Sequence, residues 1–510
     1  MDFVKIAREL ATALQEAAGT EDAVLKVRAT GGSLALDAWS ASRDHMRVSG
    51  SALRGLFDAT PGTYELRLRH DGTYTFAAGG ALSPTGDGWL VFDEDFRYPG
   101  HPLPGLPRPA AAAPTGAPTD PAVLAEITAL GTEFTTHYTR ITGHAPQWPA
   151  GRTEADLAAA EARIGARLPE DLRALYRLAD GDPEETALLG PYSCNPLDRV
   201  VADHLEGTPG AYGWEDAVSD TGVVFDPPPF GHVKRLSRND WWIPFGSDRA
   251  MNYLCADLDP GPTGTAGQVL EFGRDIHGPL RYVAPSITAM LREVVEALRE
   301  GRYTYEDEEY LEPEVTLRED KVRTHSEIFN RALHEVTDPG LVQQVYLNDL
   351  AVLDLAVLQG FPAVRELRVN RAGTVTGGLA TLPALEALRL EAAEADLDAF
   401  AGHPLWRLEL KGLARSVALH RLAALPNLIA LDVAGVDVPE IDRIAELPHL
   451  RVLAVSPAQL THLLTSGAPL PRLAALRVDP RTPLTEAAAL WSRFSPGREA
   501  PWYTESTGRV

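Results

Sequence analysis

Three carboxylates lie close together near the middle of the chain, where paired acids could do chemistry. Asp257 and Asp259 are two residues apart, and Asp248 precedes them. Because side chains alternate along a strand, Asp257 and Asp259 are expected to point to one face. Three interpretations are open: the pair could act as general acid and base, could hold an arginine of a partner protein, or could cap turns at the strand ends.

Two adjacent tryptophans precede these acids and could anchor a partner protein. Trp241 and Trp242 would point in opposite directions on a strand, so one is expected in the core and the other at the surface. Buried indoles contribute strongly to the energies of protein interfaces. The exposed indole is therefore a leading binding candidate, unless the insert of residues 183–240 covers it.

The sequence offers little support for nucleophilic, phosphate-binding or metal chemistry. Cys194 and His204 could form a nucleophile and a base, but no third orienting group or oxyanion turn accompanies them. The glycines of GTPGAYG from Gly207 lack the Lys-Ser/Thr pair of a phosphate loop, and no His-Glu-x-x-His or Cys-x-x-Cys spacing occurs. Cys194 and Cys255 are too few for a disulfide framework and are expected to be buried free thiols. We expect no catalytic residues, no cofactor and no metal.

A short phrase of Pro, Leu and alternating apolar residues recurs six times near the C-terminal end, every 21 to 23 residues. The copies are FPAVRELRV from Phe361, LPALEALRL from Leu382, HPLWRLEL from His403, LPNLIALDV from Leu425, LPHLRVLAV from Leu447 and LPRLAALRV from Leu470. Units of this size cannot bury their apolar side alone, so Leu367, Leu388, Leu408 and Leu431 are expected to stack into one core. The pattern predicts a leucine-rich-repeat α/β solenoid.

The residues between the core leucines are expected to form a ladder of mixed charge on the concave face. The ladder comprises Arg365, Glu366, Arg368, Glu386, Arg389, Trp406, Arg407, Glu409, Asp432, Arg451 and Arg477. Charged residues on an open strand face are normally only solvated, so a partner surface depends on the ladder's continuity and on Trp406. The predicted partner contacts are Arg368, Arg389, Trp406, Glu409 and Asp432. Alternatively, Trp406 fills a gap in the core, because the third copy is one residue short.

The segment from Thr153 to Asp182 carries the signals of two helices joined by a fixed corner. Thr153 and Asp156 can form a capping box, Gly165 ends the first helix, and Pro169 starts the second. This stretch resembles the N-terminal signature of the SUKH superfamily, which groups a fungal cell-wall-synthesis regulator with many bacterial toxin-immunity proteins. WWIPFGSDRAMNYLCADLDP from Trp241, followed by GQVLEF from Gly267, is similar to the family's strand–turn–strand pattern. The resemblance implies a non-enzymatic α+β domain whose sheet and adjoining cleft hold a protein partner.

Composition excludes several classes of function. The formal net charge of −24 argues against direct binding of nucleic acid. It would attract a basic partner, such as a basic toxin domain, but an acidic surface can equally serve only to keep the chain soluble. No apolar run approaches the roughly 18 residues needed to span a membrane, and the N-terminus lacks the apolar block of a signal peptide. A cytoplasmic location is therefore expected. Scarce lysine and abundant Ala, Gly, Pro and Arg suggest a bacterium with a GC-rich genome.

Changes of composition along the chain predict an α+β protein of five segments. These are a small α+β domain at residues 1–98, a Pro/Ala-rich linker outside any core at residues 99–121, a SUKH-like α+β domain at residues 122–305, an acidic linker and solenoid cap at residues 306–335, and the leucine-rich-repeat solenoid with its C-terminal cap at residues 336–510. The leading hypothesis is an immunity protein that binds and neutralises a bacterial toxin or effector. The alternative is a multi-partner scaffold or regulator of cell-envelope synthesis or signalling.

Overall fold

The computed structural model describes residues 3–510 except 31–32, 49–52, 58–59, 81, 83, 86, 207–221, 277–279, 307–309, 316–332 and 500. The glycines of GTPGAYG and most of the predicted acidic linker and solenoid cap at residues 306–335 lie outside the described residues. Among the helices that are described, none combines the length and the apolar character that a membrane span requires.

The N-terminal region consists of a helix packed on one face of a sheet. Its elements are helix α1 at Phe3–Ala18, strands β1 at Ala23–Thr30 and β2 at Ser33–Ser40, helix α2 at Arg54–Phe57, and strands β3 at Gly62–Leu68, β4 at Thr73–Gly79 and β5 at Trp89–Val91. Helix α1 forms because its apolar residues recur at helical spacing, and Leu10 and Leu14 are buried against the sheet. Gly72 lies in the turn of the β3–β4 hairpin with a φ of +81°, a conformation that suits glycine.

The central domain combines an antiparallel sheet with helices on one face. Its elements are α3 at Pro121–Thr142, α4 at Glu154–Ile164, α5 at Glu170–Leu178, β6 at Ser193–Cys194, α6 at Leu197–Glu206, β7 at Trp242–Ser247, β8 at Asn252–Asp257, β9 at Gln268–Gly273, β10 at Arg281–Ala284, α7 at Ile287–Glu300, β11 at Tyr303–Glu306 and β12 at Tyr310–Pro313. The main sheet has the order β10-β9-β8-β7-β6. The predicted capping box of Thr153 and Asp156 is present, and Gly165 ends α4 with a φ of +80°. These local signals fix the corner between α4 and α5.

The C-terminal region is dominated by a parallel sheet. Its elements are β13 at Gln344–Asn348, β14 at Val352–Asp354, β15 at Glu366–Thr376, β16 at Ala387–Ala395, β17 at Arg407–Lys411, α8 at Leu419–Ala423, β18 at Ala430–Gly435, β19 at Val452–Ala454, α9 at Pro457–Thr465, β20 at Ala475–Arg477, α10 at Leu484–Phe494 and β21 at Tyr503–Arg509. Strands β13 and β15 to β20 are neighbours in chain order. Their register aligns one buried leucine from each of the last six strands: Leu367, Leu388, Leu408, Leu431, Leu453 and Leu476. The leucines share one core, as the repeat spacing predicts.

Two strands cross the predicted domain boundaries. Strand β5 pairs antiparallel with β20 at the end of the repeat sheet, although it belongs to the predicted N-terminal domain. Strand β21 pairs along its whole length with β4, which places the end of the chain in the N-terminal sheet, of order β2-β1-β3-β4-β21. Residues 1–98 and 336–510 are therefore not separate units, in contrast to the prediction. Alternating patterns identify strands but do not reveal which distant edge a strand will join.

A buried ion pair reinforces this junction. Glu65 on β3 accepts a hydrogen bond from the Leu484 amide at 3.2 Å, in the first turn of α10. Lys26 Nζ lies 3.5 Å from Glu65 and donates to the Thr482 carbonyl at 2.9 Å. A carboxylate at a helix N-terminus satisfies an amide that has no partner within the helix. The N-terminal sheet is thus fixed to the end of the repeat region.

The proline-rich segment packs against the central domain. The Leu106 carbonyl accepts a hydrogen bond from Trp241 Nε1 at 3.1 Å, and Asp240 accepts from the Gly105 and Leu106 amides. Ala112 is buried in the core of the central domain. The prediction that residues 99–121 lie outside any core is wrong, because proline removes backbone donors but leaves carbonyls that the domain can bond.

Candidate functional site

Asp248 supports a turn. It accepts hydrogen bonds from the amides of Ala250 and Asn252, at 2.7 and 3.0 Å, in the connection between β7 and β8. The Asn252 side chain donates to its other oxygen at 2.6 Å. These bonds engage both oxygens of Asp248, so the turn-capping interpretation is favoured.

Asp257 and Asp259 belong to a polar network at the end of β8. Asp257 is fully buried and accepts from Gln268 Nε2 at 2.8 Å and from the Asp259 amide at 2.9 Å. Burial raises the pKa of Asp257 to about 6. Asp259 accepts from Asn239 Nδ2 at 2.9 Å and is ion-paired with Lys234. The network holds the strand end in place and offers Asp257 no access to a substrate or a partner.

Both tryptophans that precede these acids are buried, Trp241 at 9% exposure and Trp242 at 4%. Trp241 lies in the core that contains the helices, whereas Trp242 lies on the other face of the sheet with Val233, Cys255 and Leu270. Of the two alternatives, the structure agrees with the second: Val233, from the insert of residues 183–240, covers Trp242, so neither indole is exposed. Substitution of either tryptophan is expected to affect folding before it affects a partner.

Cys194 and His204, which the sequence disfavours as a nucleophile and base, both have structural surroundings. Cys194 and Cys255 are buried free thiols, as the sequence predicts, and burial raises the pKa of the Cys194 thiol to about 12. The His204 ring packs against Trp241, with 5.8 Å between ring centroids. A thiol with this pKa is not a nucleophile at neutral pH. Within the described parts of the chain, no group of three or more His, Cys, Asp or Glu side chains could hold a metal ion.

The predicted ladder lies on what we call the strand face, the side of β15 to β20 that carries Arg368, Arg389, Glu409, Asp432 and Arg477. Pairing in register places the first four side by side on β15 to β18, with Arg477 on β20. Arg389 Nε donates to Glu409 at 2.7 Å, and Arg477 Nη2 lies 2.8 Å from an Asp432 carboxylate oxygen. Arg368 bonds Glu366 at 2.7 Å and lies over the Tyr346 ring. The ladder is thus a row of ion pairs.

Trp406 has a different role from either expectation. Its ring is 4.8 Å from that of Tyr98, and it is 95% buried in a cluster with Val223 and Phe225 on the strand face. It is neither an exposed partner contact nor part of the leucine core. Sequence reasoning missed Tyr98, Val223 and Phe225 because they are far from the repeats along the chain. The only local signal is the aromatic pair Phe96 and Tyr98 before the proline run.

Polar contacts fix the central domain to the same face. The Asp226 amide donates to Gln343 Oε1, and Gln343 Nε2 donates back to the Asp226 carbonyl, both at 2.8 Å. Arg235 Nη1 lies 2.8 Å from Glu386, which also pairs with Arg365 at 2.7 Å. Part of the strand face is therefore occupied by the chain itself.

An open cleft of about 380 Å³ remains beside this contact. Its walls include Trp89, Tyr98, Arg389, Glu409, Asp432 and Arg477. The Arg477 guanidinium lies 5.9 Å from the centre of the Trp89 ring. Burial raises the pKa of Asp432, and Arg477 opposes that shift. The cleft brings together three predicted partner residues, Arg389, Glu409 and Asp432, and leaves Arg368 and Trp406 outside.

Known proteins resemble the central domain. Residues 151–293 match the SMI1 / KNR4 family (SUKH-1). The chain is 28% identical over 172 residues to the "Cell wall biosynthesis/cell cycle regulator smi1" of Schizosaccharomyces pombe, covering 31% of this chain and 33% of the relative. It is 24% identical over 154 residues to the "Cell wall assembly regulator SMI1" of Saccharomyces cerevisiae, covering 24% and 30%. It is 35% identical over 83 residues to the "Glucan synthesis regulatory protein" of Neurospora crassa, covering 16% and 15%.

These similarities confirm the predicted SUKH-type domain and limit what can be transferred. The chain spans a third or less of the length of these relatives. The relatives are fungal and are named as regulators of the cell wall, the cell cycle or glucan synthesis. They favour the alternative hypothesis of a regulator and give no support to toxin neutralisation or to a bacterial origin.

The SMI1/KNR4 domain contains a buried acid at the start of the loop after α5. Asp182 is 1% exposed and accepts hydrogen bonds from the amide and the hydroxyl of Thr186, both at 2.9 Å. Its other oxygen, Oδ1, is buried and has no hydrogen-bond partner among the described residues. Burial raises the pKa of Asp182 from its ordinary value of 3.8 to about 6. The ionised carboxylate is therefore destabilising in the folded chain.

The Asp182→Asn substitution is expected to stabilise the protein above pH 7 by about 1–3 kcal/mol, because it removes the buried charge and keeps an oxygen for Thr186. The folded pKa exceeds the unfolded one, so the natural chain gains stability as the pH falls through the interval between them. The advantage of the variant should disappear over that interval. Thermal melting at a series of pH values measures the difference.

Asp156→Asn is a control for which the expected change in stability has the opposite sign. Hydrogen bonds from Thr153 lower the pKa of Asp156, so this carboxylate stabilises the fold when ionised. The variant should be less stable than the natural chain at neutral pH, and this difference should vanish as the pH falls below the ordinary pKa, because the natural chain then loses its ionised carboxylate. An Asp182→Asn protein that is less stable than the natural chain above pH 7 would contradict the assignment of a buried, under-bonded charge.

Proposed function

We propose that this chain is a non-enzymatic, protein-binding regulator of cell-envelope assembly, with its SMI1/KNR4 domain and a leucine-rich-repeat solenoid joined in one scaffold. The observation that carries the proposal is the match of residues 151–293 to a family whose relatives are named as wall and glucan-synthesis regulators. The acids and thiols singled out as candidate chemistry lie in structural networks or in the core, which agrees with a binding role.

The repeat region supports the scaffold part of this proposal. Its parallel strands follow one another in chain order, and six aligned leucines stack in one core, which is the arrangement that a leucine-rich-repeat solenoid requires. Solenoids present extended surfaces for partners and need caps that cover their terminal repeats. In this proposal the N-terminal sheet, fixed through Lys26 and Glu65, caps the end of the array.

The proposal is tested by affinity capture with the tagged full-length chain from cells that express it naturally, followed by mass spectrometry. We expect proteins of wall or glucan synthesis to co-purify in stoichiometric amounts. The control bait is Leu172→Asp, which places a charge in the core of the SMI1/KNR4 domain. Partners held by this domain should be lost from the control, whereas partners held by the repeats should remain.

Two results would oppose the proposal. A single toxin domain recovered at one to one would restore the immunity hypothesis. An identical set of proteins with the natural and the Leu172→Asp baits would separate the function from the SMI1/KNR4 domain.

As a second measurement, the full chain can be expressed in Saccharomyces cerevisiae that lacks its SMI1 protein, and growth under wall stress compared with and without it.

A further inference from the structure

Strand β21 forms one edge of the N-terminal sheet. It is the last strand of the order β2-β1-β3-β4-β21, and its residues alternate between exposed and half-buried positions. The Val510 amide donates to the Gly72 carbonyl, and the Gly80 amide donates to the Trp502 carbonyl, both at 2.9 Å. Because hydrogen-bonded and non-hydrogen-bonded pairs alternate along an antiparallel ladder, the even-numbered residues of β21 bond β4. The N–H and C=O groups of the odd-numbered residues therefore point away from the sheet.

This outer edge of β21 is open, in contrast to the other edge of the same sheet. Proteins often protect an edge strand with lysine, proline, a bulge or a covering segment. Residues 503–509 read YTESTGR and pair with β4 without a shift of register. At the other edge the chain folds back on β2: Met46 donates to the Ala38 carbonyl at 2.8 Å, and Ser40 donates to the Arg43 carbonyl at 2.9 Å. No such segment covers β21 among the described residues.

The two charged side chains of β21, Glu505 and Arg509, have opposite signs and lie on one face of the sheet. The β4 residues directly beside them are uncharged. Glu505 accepts a hydrogen bond from the Tyr503 hydroxyl at 3.1 Å, and Arg509 donates to the Asp71 carbonyl at 3.3 Å. The Asp71 carboxylate is itself bonded to the amide and the hydroxyl of Thr73. Within the described parts of the chain, neither charge of β21 belongs to an ion pair.

These charges select one register for pairing with a second copy of β21. In a two-fold symmetric antiparallel pair one residue faces itself, and it must be odd-numbered because the even-numbered residues are bonded to β4. Centring on Glu505 or on Arg509 sets like charges face to face, and centring on Tyr503 sets Pro501, which has no N–H, opposite Glu505. Centring on Thr507 sets Glu505 of each copy opposite Arg509 of the other. Facing opposite charges stabilise a strand pair, whereas facing like charges destabilise it.

We propose that two copies of this chain associate through β21, with Thr507 facing its own counterpart and a Glu505–Arg509 ion pair on each side of it. The two five-stranded sheets then form one continuous sheet. The facing residues at positions 505, 507 and 509 exchange about six backbone hydrogen bonds. A seam of one strand pair is a small interface, so the association is reversible and depends on concentration. This inference goes beyond the proposed function and does not depend on it.

The test is sedimentation velocity of the full-length chain from about 1 to about 100 µM, a range that covers weak association. We expect the mass to rise from 55.1 kDa toward twice that value. Glu505→Arg and Arg509→Glu each set like charges face to face at two places in the seam and should weaken the association at least about tenfold. The double variant, Glu505→Arg with Arg509→Glu, restores opposite charges and should associate as the natural chain does.

The matched control is Arg69→Glu, the same charge reversal at an exposed residue just after β3, two strands away from the edge. It should associate as the natural chain does. An equal loss in this control would overturn the proposal, because the effect would then come from general charge and not from the seam. A mass that stays at 55.1 kDa would also overturn it, as would a dimer that the single reversals leave intact or that the double variant does not restore.

Hydrogen exchange of the natural chain is a second measurement that needs no variant. The fragment that contains residues 503–509 should exchange more slowly at high than at low protein concentration, because the amides of the odd-numbered residues gain partners. Exchange that does not depend on concentration would refute a seam at β21. If the chain stays monomeric but still captures wall-synthesis proteins, only this inference fails and the proposed function stands.

Discussion

Replacement of Leu388 by aspartate is expected to abolish the cooperative unfolding of the repeat sheet. Leu388 is 2% exposed and aligned between Leu367 and Leu408 on the neighbouring strands. The variant loses packing worth about 2–5 kcal/mol and also buries a carboxylate that has no partner. The sum is comparable with the whole stability of a typical domain, about 5–15 kcal/mol. Circular dichroism melting and hydrogen exchange of the strand amides measure the effect.

The matched control is Ala393→Asp on the same strand, β16. Ala393 is exposed, so the new carboxylate remains hydrated and should change the melting temperature little. Both variants add one negative charge to the same strand, but Ala393→Asp neither removes a core leucine nor buries the new carboxylate. Normal melting of the Leu388→Asp protein would refute the register that stacks the leucines.

Local signals in the sequence predict much of the fold. The repeat spacing places the leucines in one core because a parallel strand and its return must bury one side of every unit. Thr153, Asp156 and Gly165 fix the ends of α4 because their side chains or their φ values act within a few residues. The sequence does not predict that β5 joins the sheet of the repeat region or that β21 joins the N-terminal sheet. Each of these strands pairs with a strand hundreds of residues away along the chain.

Local patterns in the sequence also predict part of the candidate site. The period of two along a strand puts Arg389, Glu409 and Asp432 on one face, and the structure brings them together. The period cannot show what covers that face. Tyr98 and Phe225 come from other parts of the chain and cover a portion of it, which makes Trp406 a buried residue.

The central domain contacts the strand face through residues 223–235. Residues 223–235 lead directly to the strands of the SMI1/KNR4 domain, and they are bonded to the strand face through Asp226 and Arg235. Tyr98, which also lines the cleft, packs in the same cluster. The cleft and the SMI1/KNR4 domain are therefore adjacent through this cluster.

Trp406→Ala is expected to destabilise the protein by about 3–5 kcal/mol, the cost typical of removing a large buried aromatic side chain. The substitution removes the contacts of Trp406 with Tyr98, Val223 and Phe225. Hydrogen exchange of the amides of residues 222–235 should therefore increase more than that of the amides in the leucine core. The control is Phe230→Ala, whose ring is 36% exposed and whose removal should cost much less. If Trp406 were instead an exposed partner contact, the variant would melt as the natural chain does and lose only captured partners. Loss of stability together with faster exchange in residues 222–235 would establish that Trp406 joins the SMI1/KNR4 domain to the repeats.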